Sequence, residues 1–415
     1  MLPENFPYIT SIHVNDCYAV KDLDIPLKDY KPFSHLILTG KNGSGKTSIL
    51  RAIDYLFIEY FLQEQSKIEN ISKAKKTNSV VKALNMFIKE SKKKNHDELQ
   101  LREYDRVYLE PFNITFNAKD YYNNINKIIY SFLAADRETS IVANVVNPTK
   151  EDNFIEQIAK KNSSKYFIKQ SKQYLVNQIV LKAFAMVSND KKESDERQSF
   201  INNFQFLLGT ILEDKNLELV FEKENYDFYI KLSDGRRQDF NTLSDGFSAF
   251  VSILMDLLIR TDLIRKQVGD FTYHPCGIVL IDEPETHLHL ELQYQVLPIL
   301  TTFFPNIQFI VATHSPAVIS SIPNATVFDL TKKEAEKEEV AGKSFSELMI
   351  SHFGLENEFS PVGDKIFDSI NQTLKDHRDD KPVLKQKLQE IFDKNEKYLS
   401  AGMRLELESM IIENS

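Results

Sequence analysis

The segment Gly40-Lys41-Asn42-Gly43-Ser44-Gly45-Lys46-Thr47 carries the most specific chemistry in the chain. It follows an apolar run, Phe33 to Thr39, that reads as a strand, and it leads into a helical pattern from Ser48 to Ile53. A strand, a glycine-rich loop and a helix in this order cradle a polyphosphate. The glycines let the backbone curl so that its N–H groups point inward. The helix beginning near Gly45 adds a positive N-terminal field. Gly40, Asn42, Gly43, Ser44 and Gly45 form the cradle, Lys46 reaches the β- and γ-phosphates, and the Thr47 hydroxyl ligates Mg²⁺. The spacing implies a nucleoside triphosphate.

Three further segments belong with it. Cys276 to Ile281 is an apolar strand that delivers two carboxylates, Asp282 and Glu283, at its end. Those residues could simply cap the strand ahead of Pro284. Beside a P-loop they suit Asp282 as a Mg²⁺ ligand and Glu283 as the general base that orients and deprotonates water. Ser244 and the backbone of Gly246 open an apolar helix, where a helix N-terminus can hold an anion. His314 ends the strand Phe309 to Thr313, the next strand after Asp282-Glu283, so it should border the γ-phosphate.

Positioning these residues takes alternating strands and helices. From Thr242 the chain reads as helix (Ser248 to Arg260), strand (Gly277 to Ile281), helix (Leu290 to Phe303) and strand (Gln308 to Ala312), which suits a mainly parallel sheet covered by helices. Residues 8–28 read as two strands around a polar turn. Asp105 to Phe116 is β-like, and the segment Lys127 to Arg137 reads as a buried strand ending in polar residues. Residues 150–213 are helical with a break at the charged stretch Asn189 to Arg197. Leu217 to Phe221 and Tyr226 to Leu232 form a hairpin signal, with the Asp234-Gly235 turn behind it. The tail from about residue 344 is helical, with amphipathic stretches at 383–392 and 404–412.

With four motifs in order, the chain resembles an ABC-type ATPase of the SMC-like, RecF-like and OLD-like branch. Gly40 to Thr47 matches the Walker A motif, Leu243 to Gly246 the signature, Ile278 to Glu283 the Walker B motif, and His314 the switch histidine. The run Asp282-Glu283-Pro284-Glu285-Thr286-His287-Leu288-His289 is similar to that of OLD and defence-system ATPases. Asp245 and Phe247 stand where transporters have Gly and Gln. No Q-loop is placed: Gln63 lies close to the Walker A helix, and Asp136-Arg137 is the substitute considered. Tyr18 is open between adenine stacking and packing, and His287 and His289 between a dimer seam and a helix entry.

The resemblance implies an α/β fold: an ABC-type P-loop head with a mainly parallel core sheet, an antiparallel β subdomain, a helical insertion and a helical C-terminal tail. The implied domains are a head of residues 1–65 and 215–330, an insertion of 66–214 and a tail of 331–415. It implies ATP and Mg²⁺ as cofactors and a head-to-tail homodimer, or a larger even-numbered assembly. Ser244 and Gly246 of one subunit would then meet the γ-phosphate held by the P-loop of the other. The tail has no Toprim-like or His-Asn-His pattern. The chain therefore resembles the ATPase components of Septu-type and retron-associated anti-phage systems, which control a separately encoded effector, a nuclease. The alternative is RecF-like DNA repair, where ATP-dependent dimerisation on DNA is itself the function.

Composition constrains the rest. The 415 residues are 42% hydrophobic and 27% charged, enough for a large core. A net charge of −9 disfavours a uniformly basic nucleic-acid binder. The lysine clusters at 73–76 and 92–94 are open between a DNA- or RNA-contacting surface and solvated helix faces. Cys17 and Cys276 form no metal or redox pattern and suit a cytoplasmic protein. No apolar run approaches the roughly 20 residues that span a bilayer, so no membrane partner is expected.

Overall fold

The structure is a computed structural model. It describes residues 2–17, 20–54, 57, 112–116, 128–135, 164–240, 243–336, 338–343, 347–349, 360–378 and 380–413. The candidates Tyr18, Gln63 and Asp136-Arg137 and both lysine clusters lie outside the described residues. Two compact units are present, residues 1–342 and 343–415.

In the first unit, β1 (Ile9–Cys17) and β2 (Val20–Pro26) form an antiparallel pair. β3 (His35–Thr39) leads to the glycine loop and to helix α1, described over residues 46–54. β4 (Phe112–Phe116) returns to pair antiparallel with β1, giving the sheet order β2-β1-β4. β5 (Ile129–Leu133) precedes two helices, α2 (Ser164–Val187) and α3 (Lys191–Ile211). A small sheet follows: β6 (Glu218–Glu222), β7 (Asp227–Lys231) and β8 (Arg237–Asp239). Then come α4 (Asp245–Val268), β9 (Gly277–Asp282), α5 (Leu290–Phe303), β10 (Ile307–Ala312), the short α6 (Pro316–Ile319), β11 (Ala325–Asp329) and β12 (Glu334–Ala335).

The main sheet has the order β12-β11-β3-β10-β9-β5, and only β12 runs antiparallel to its neighbour. Its central strands β3, β9, β10 and β11 are buried at every position. That is why they read as continuous apolar runs rather than alternations. Parallel order brings the C-terminal ends of β3, β9, β10 and β11 to one edge, where open α/β sheets place ligands.

The β1 sheet alternates buried Ile9, Ile12 and Val14 with exposed or half-buried residues, as a one-sided strand should. It is tied to the main sheet by the buried Gln308 side chain. Gln308 accepts from the Ile9 N–H at 2.9 Å and donates to the carbonyls of Ile9 and Ser34 at 2.8 and 2.7 Å. One side chain thus satisfies three buried backbone groups that would otherwise be costly.

The expected helix break at 189–197 is shorter in the structure. Only residues 188–190 interrupt the helices, because Asp190 caps α3 through the Glu193 N–H at 3.0 Å. The charged run is the first turns of α3, where Arg197 reaches Glu193 at 2.9 Å and Gln178 at 3.1 Å. A charged stretch with good helix propensity is a helix face once it has a cap.

The second unit is helical: α7 (Pro361–Asp376), α8 (Lys381–Asn395) and α9 (Ala401–Glu413) close on Ile366, Ile370, Leu384, Leu388, Met403 and Leu407. A mainly parallel core sheet, an antiparallel sheet, helices between β5 and β6 and a helical C-terminal unit match the P-loop head architecture expected from the sequence. Among the described residues no helix is long and apolar enough to cross a membrane. Cys17 and Cys276 are both buried.

Candidate functional site

The loop after β3 needs glycine where the sequence supplies it. Gly40, Gly43 and Gly45 have φ of 130°, 79° and 101°, a region L-residues rarely adopt. A Cβ on Gly45 would lie 2.6 Å from the Val20 side chain, whereas one on Gly43 would meet nothing within 4 Å. The loop is therefore wedged at its base and open at its crown. Lys46, only 6% exposed, folds its ammonium back onto the carbonyls of Gly40 and Lys41 at 2.9 and 3.2 Å. Burial lowers its pKa, while the nearby carboxylates of Glu283, Asp282, Asp329 and Glu285 oppose that shift.

β9 brings Asp282 to the same edge. The Thr47 hydroxyl donates to Asp282 Oδ2 at 2.9 Å. Burial pushes the Asp282 carboxyl above its ordinary value, against the Thr47 hydrogen bond. A hydroxyl and a carboxylate held this close fit two positions on one octahedral Mg²⁺. The open crown at Gly43, the Lys46 ammonium and the buried Ser44 hydroxyl, which has no hydrogen-bond partner, fit a polyphosphate beside it. Among the described residues no group of three His, Cys, Asp or Glu forms another metal site.

Glu283 follows with φ 48°, a left-handed conformation that costs a non-glycine residue about 1–3 kcal/mol. Its N–H donates to the Ala312 carbonyl at 2.8 Å, which fixes the turn at the end of β10. His314 lies one residue past the β10–β3 pairing, where the Thr313 N–H still reaches the Leu38 carbonyl at 3.0 Å. Burial lowers the His314 pKa, the Lys46 charge lowers it further, and Glu283 pulls the other way. Lys46, Thr47, Asp282, Glu283 and His314 thus share one sheet edge.

Ser244 and Gly246 sit at the start of α4. Ser244 is the N-cap with extended backbone, and its hydroxyl makes no cap hydrogen bond. Gly246 has a local reason to be glycine: a Cβ there would lie 2.2 Å from the His287 carbonyl oxygen. Within the chain, its neighbours are His287 and Leu288 of the loop after β9. His287 has φ 63° and is exposed, as is His289, the N-cap of α5.

Three residues that the sequence reading passed over complete the edge. The Thr331 hydroxyl accepts from the Lys41 N–H at 2.8 Å, and Asp329 at the end of β11 holds the Thr331 and Lys332 N–H groups at 2.7 and 3.2 Å. Glu285 accepts from the Thr313 hydroxyl and from the N–H groups of His314 and Ser315. The available signal was positional: Asp329 ends an apolar strand as Asp282 does, and Glu285 lies two residues past Glu283.

A family model described as "AAA domain, putative AbiEii toxin, Type IV TA system" matches residues 36–320, the span that holds these motifs. The chain is 27% identical over 219 residues to "Retron Vc95 probable ATPase" of Vibrio cholerae serotype O1 biovar El Tor, covering 52% of this chain and 39% of that protein. It is 28% identical over 184 residues to "Retron Ec83 probable ATPase" of Escherichia coli, covering 44% and 31%. It is 26% identical over 197 residues to "Septu protein PtuA" of Bacillus mycoides (strain KBAB4), covering 45% and 26%. The chain thus matches at most about two fifths of the length of these relatives.

Proposed function

We propose, since the chain belongs to the family "AAA domain, putative AbiEii toxin, Type IV TA system", that it is an ATP-binding and ATP-hydrolysing switch. It dimerises around ATP and controls a separate effector protein in anti-phage defence. The observation that carries the ATPase reading is the single edge bearing Lys46, the Thr47–Asp282 pair at 2.9 Å and Glu283. Names of relatives as retron ATPases and a Septu protein support the defence role.

The geometry supports the following residue roles. The backbone of Gly40, Asn42, Gly43, Ser44 and Gly45 cradles the phosphates. Lys46 leaves the Gly40 and Lys41 carbonyls for the β- and γ-oxygens, exchanging two neutral acceptors for charged ones. Thr47 and Asp282 would hold Mg²⁺, which supplies charge neutralisation at the β- and γ-phosphates when bound. Glu283 takes a proton from the attacking water. His314, whose pKa burial and the Lys46 charge lower, donates or accepts at the γ-phosphate edge. Ser244 and Gly246 serve the γ-phosphate of the partner subunit, closing a homodimer or a larger even-numbered assembly. A nuclease effector, with DNA or RNA as a further partner, completes the system in the cytoplasm.

The experiment is steady-state ATP hydrolysis together with equilibrium ATP binding. Lys46→Ala should weaken ATP binding by about 100-fold or more, the value of a desolvated charge-assisted contact. Glu283→Gln should bind ATP as the parent does and lose hydrolysis by about 100-fold or more. Unchanged affinity in the first or a parental rate in the second would overturn these roles.

A further inference from the structure

One oxygen ties the hydrolytic turns together. Glu285 Oε1 accepts from the Thr313 hydroxyl, the His314 N–H at 3.1 Å and the Ser315 N–H at 3.2 Å. Three successive residues of the turn after β10 therefore converge on a single carboxylate of the turn after β9. The first of these turns is held elsewhere too. Ser315 donates to Gln293 Oε1 at 2.6 Å, and Gln293 Nε2 donates to the Leu288 carbonyl at 2.8 Å. The second is tight: the Thr286 hydroxyl donates to the Glu283 carbonyl at 2.8 Å. Oε2, the other Glu285 oxygen, is buried and has no hydrogen-bond partner among the described residues.

From this geometry we infer that Glu285 is a positioning residue that sets where His314 stands relative to Glu283. The inference rests on the reading of His314 as the group at the γ-phosphate edge. Glu285 acts by holding the backbone that carries the histidine. Remove the carboxylate, and the 313–315 turn loses the acceptor common to its three donors. A misplacement of about 1 Å at a reacting group costs on the order of 100-fold in rate.

The test is a mutant cycle on ATP hydrolysis with the full chain, using parent, Glu285→Ala, His314→Ala and the double variant. Glu285→Ala should lower kcat on the order of 100-fold with KM within about threefold. In the His314→Ala background the same change should cost about threefold or less, because the residue it positions is gone. Glu285→Gln, whose amide oxygen still accepts, should recover most of the rate. Equal losses in both backgrounds, or a Gln variant as poor as the Ala variant, would overturn the inference. If Glu285→Ala does not fold, Thr313→Val replaces it and should show a smaller loss that again vanishes without His314; a loss that persists there counts against the inference. If the parent hydrolyses no ATP, the ATPase reading fails separately. The His314 ring resonance, recorded without nucleotide and assigned by its absence in His314→Ala, then decides: a shift in Glu285→Ala supports positioning, and an unmoved resonance refutes it.

Discussion

Lys46 and His35 show how the same region treats two buried basic side chains. Lys46 donates to the Gly40 carbonyl, with the carboxylates of Glu283, Asp282, Asp329 and Glu285 nearby. His35, 3% exposed on β3, accepts the Phe309 N–H at 3.0 Å on Nδ1, and burial pushes its pKa down to about 4. The sign of its effect follows. Between the unfolded value of about 6.5 and about 4, the unfolded chain binds the proton and the folded chain does not. Stability is therefore highest above about pH 6.5 and falls as pH drops towards 4, by about 3 kcal/mol from this residue. Denaturant unfolding of the parent and His35→Gln between pH 7 and 4 checks it: the parent should lose that much more than the variant, and parallel curves would count against it. Sequence spacing alone singled out Lys46, Thr47 and Asp282 as candidates, because their neighbours along the chain carry the signal, and the structure brings Thr47 and Asp282 together. It could not identify Thr331, Asp329 or Glu285 as part of the edge, since Thr331 meets Lys41 across 290 residues of sequence.

Helix α4 shows the same limit at the scale of elements. Its apolar pattern and its Ser244 cap were legible, and so were β3, β9 and β10, whose buried runs are continuous. Hidden from the sequence was a polar stripe inside the apolar helix. Asp256 pairs with Arg260 at 2.9 Å and accepts from Ser131 of β5 at 2.7 Å, while Asp262 pairs with Lys266 at 2.9 Å and with the Tyr174 hydroxyl. Ser131 lies on β5 and Tyr174 on α2, so the stripe registers α4 against both elements. The start of α4 is fixed by Gly246 against the His287 carbonyl. Gly246→Ala should destabilise the protein without nucleotide by about 2 kcal/mol or more, because a Cβ at 2.2 Å from a backbone oxygen forces one element to move. Thermal unfolding measures it. An unchanged midpoint would mean that the glycine serves only a nucleotide contact.

For the whole molecule, the order of the strands matters more than their number. Parallel β3, β10 and β9 bring loops distant in sequence to one edge, and the Gln308 clamp holds the antiparallel sheet against the same core. Within the chain Gly246 touches the loop after β9, and the Ser244 hydroxyl makes no cap hydrogen bond. In the function proposed above, these two residues serve the γ-phosphate held by a second copy, across a site shared between two chains. Native mass spectrometry of Glu283→Gln, with and without ATP and Mg²⁺, tests that claim most directly. An even-numbered assembly holding two ATP per pair of chains is expected when nucleotide is present, and a lighter species when it is absent. The same mass under both conditions, or an assembly that retains no ATP, would contradict it.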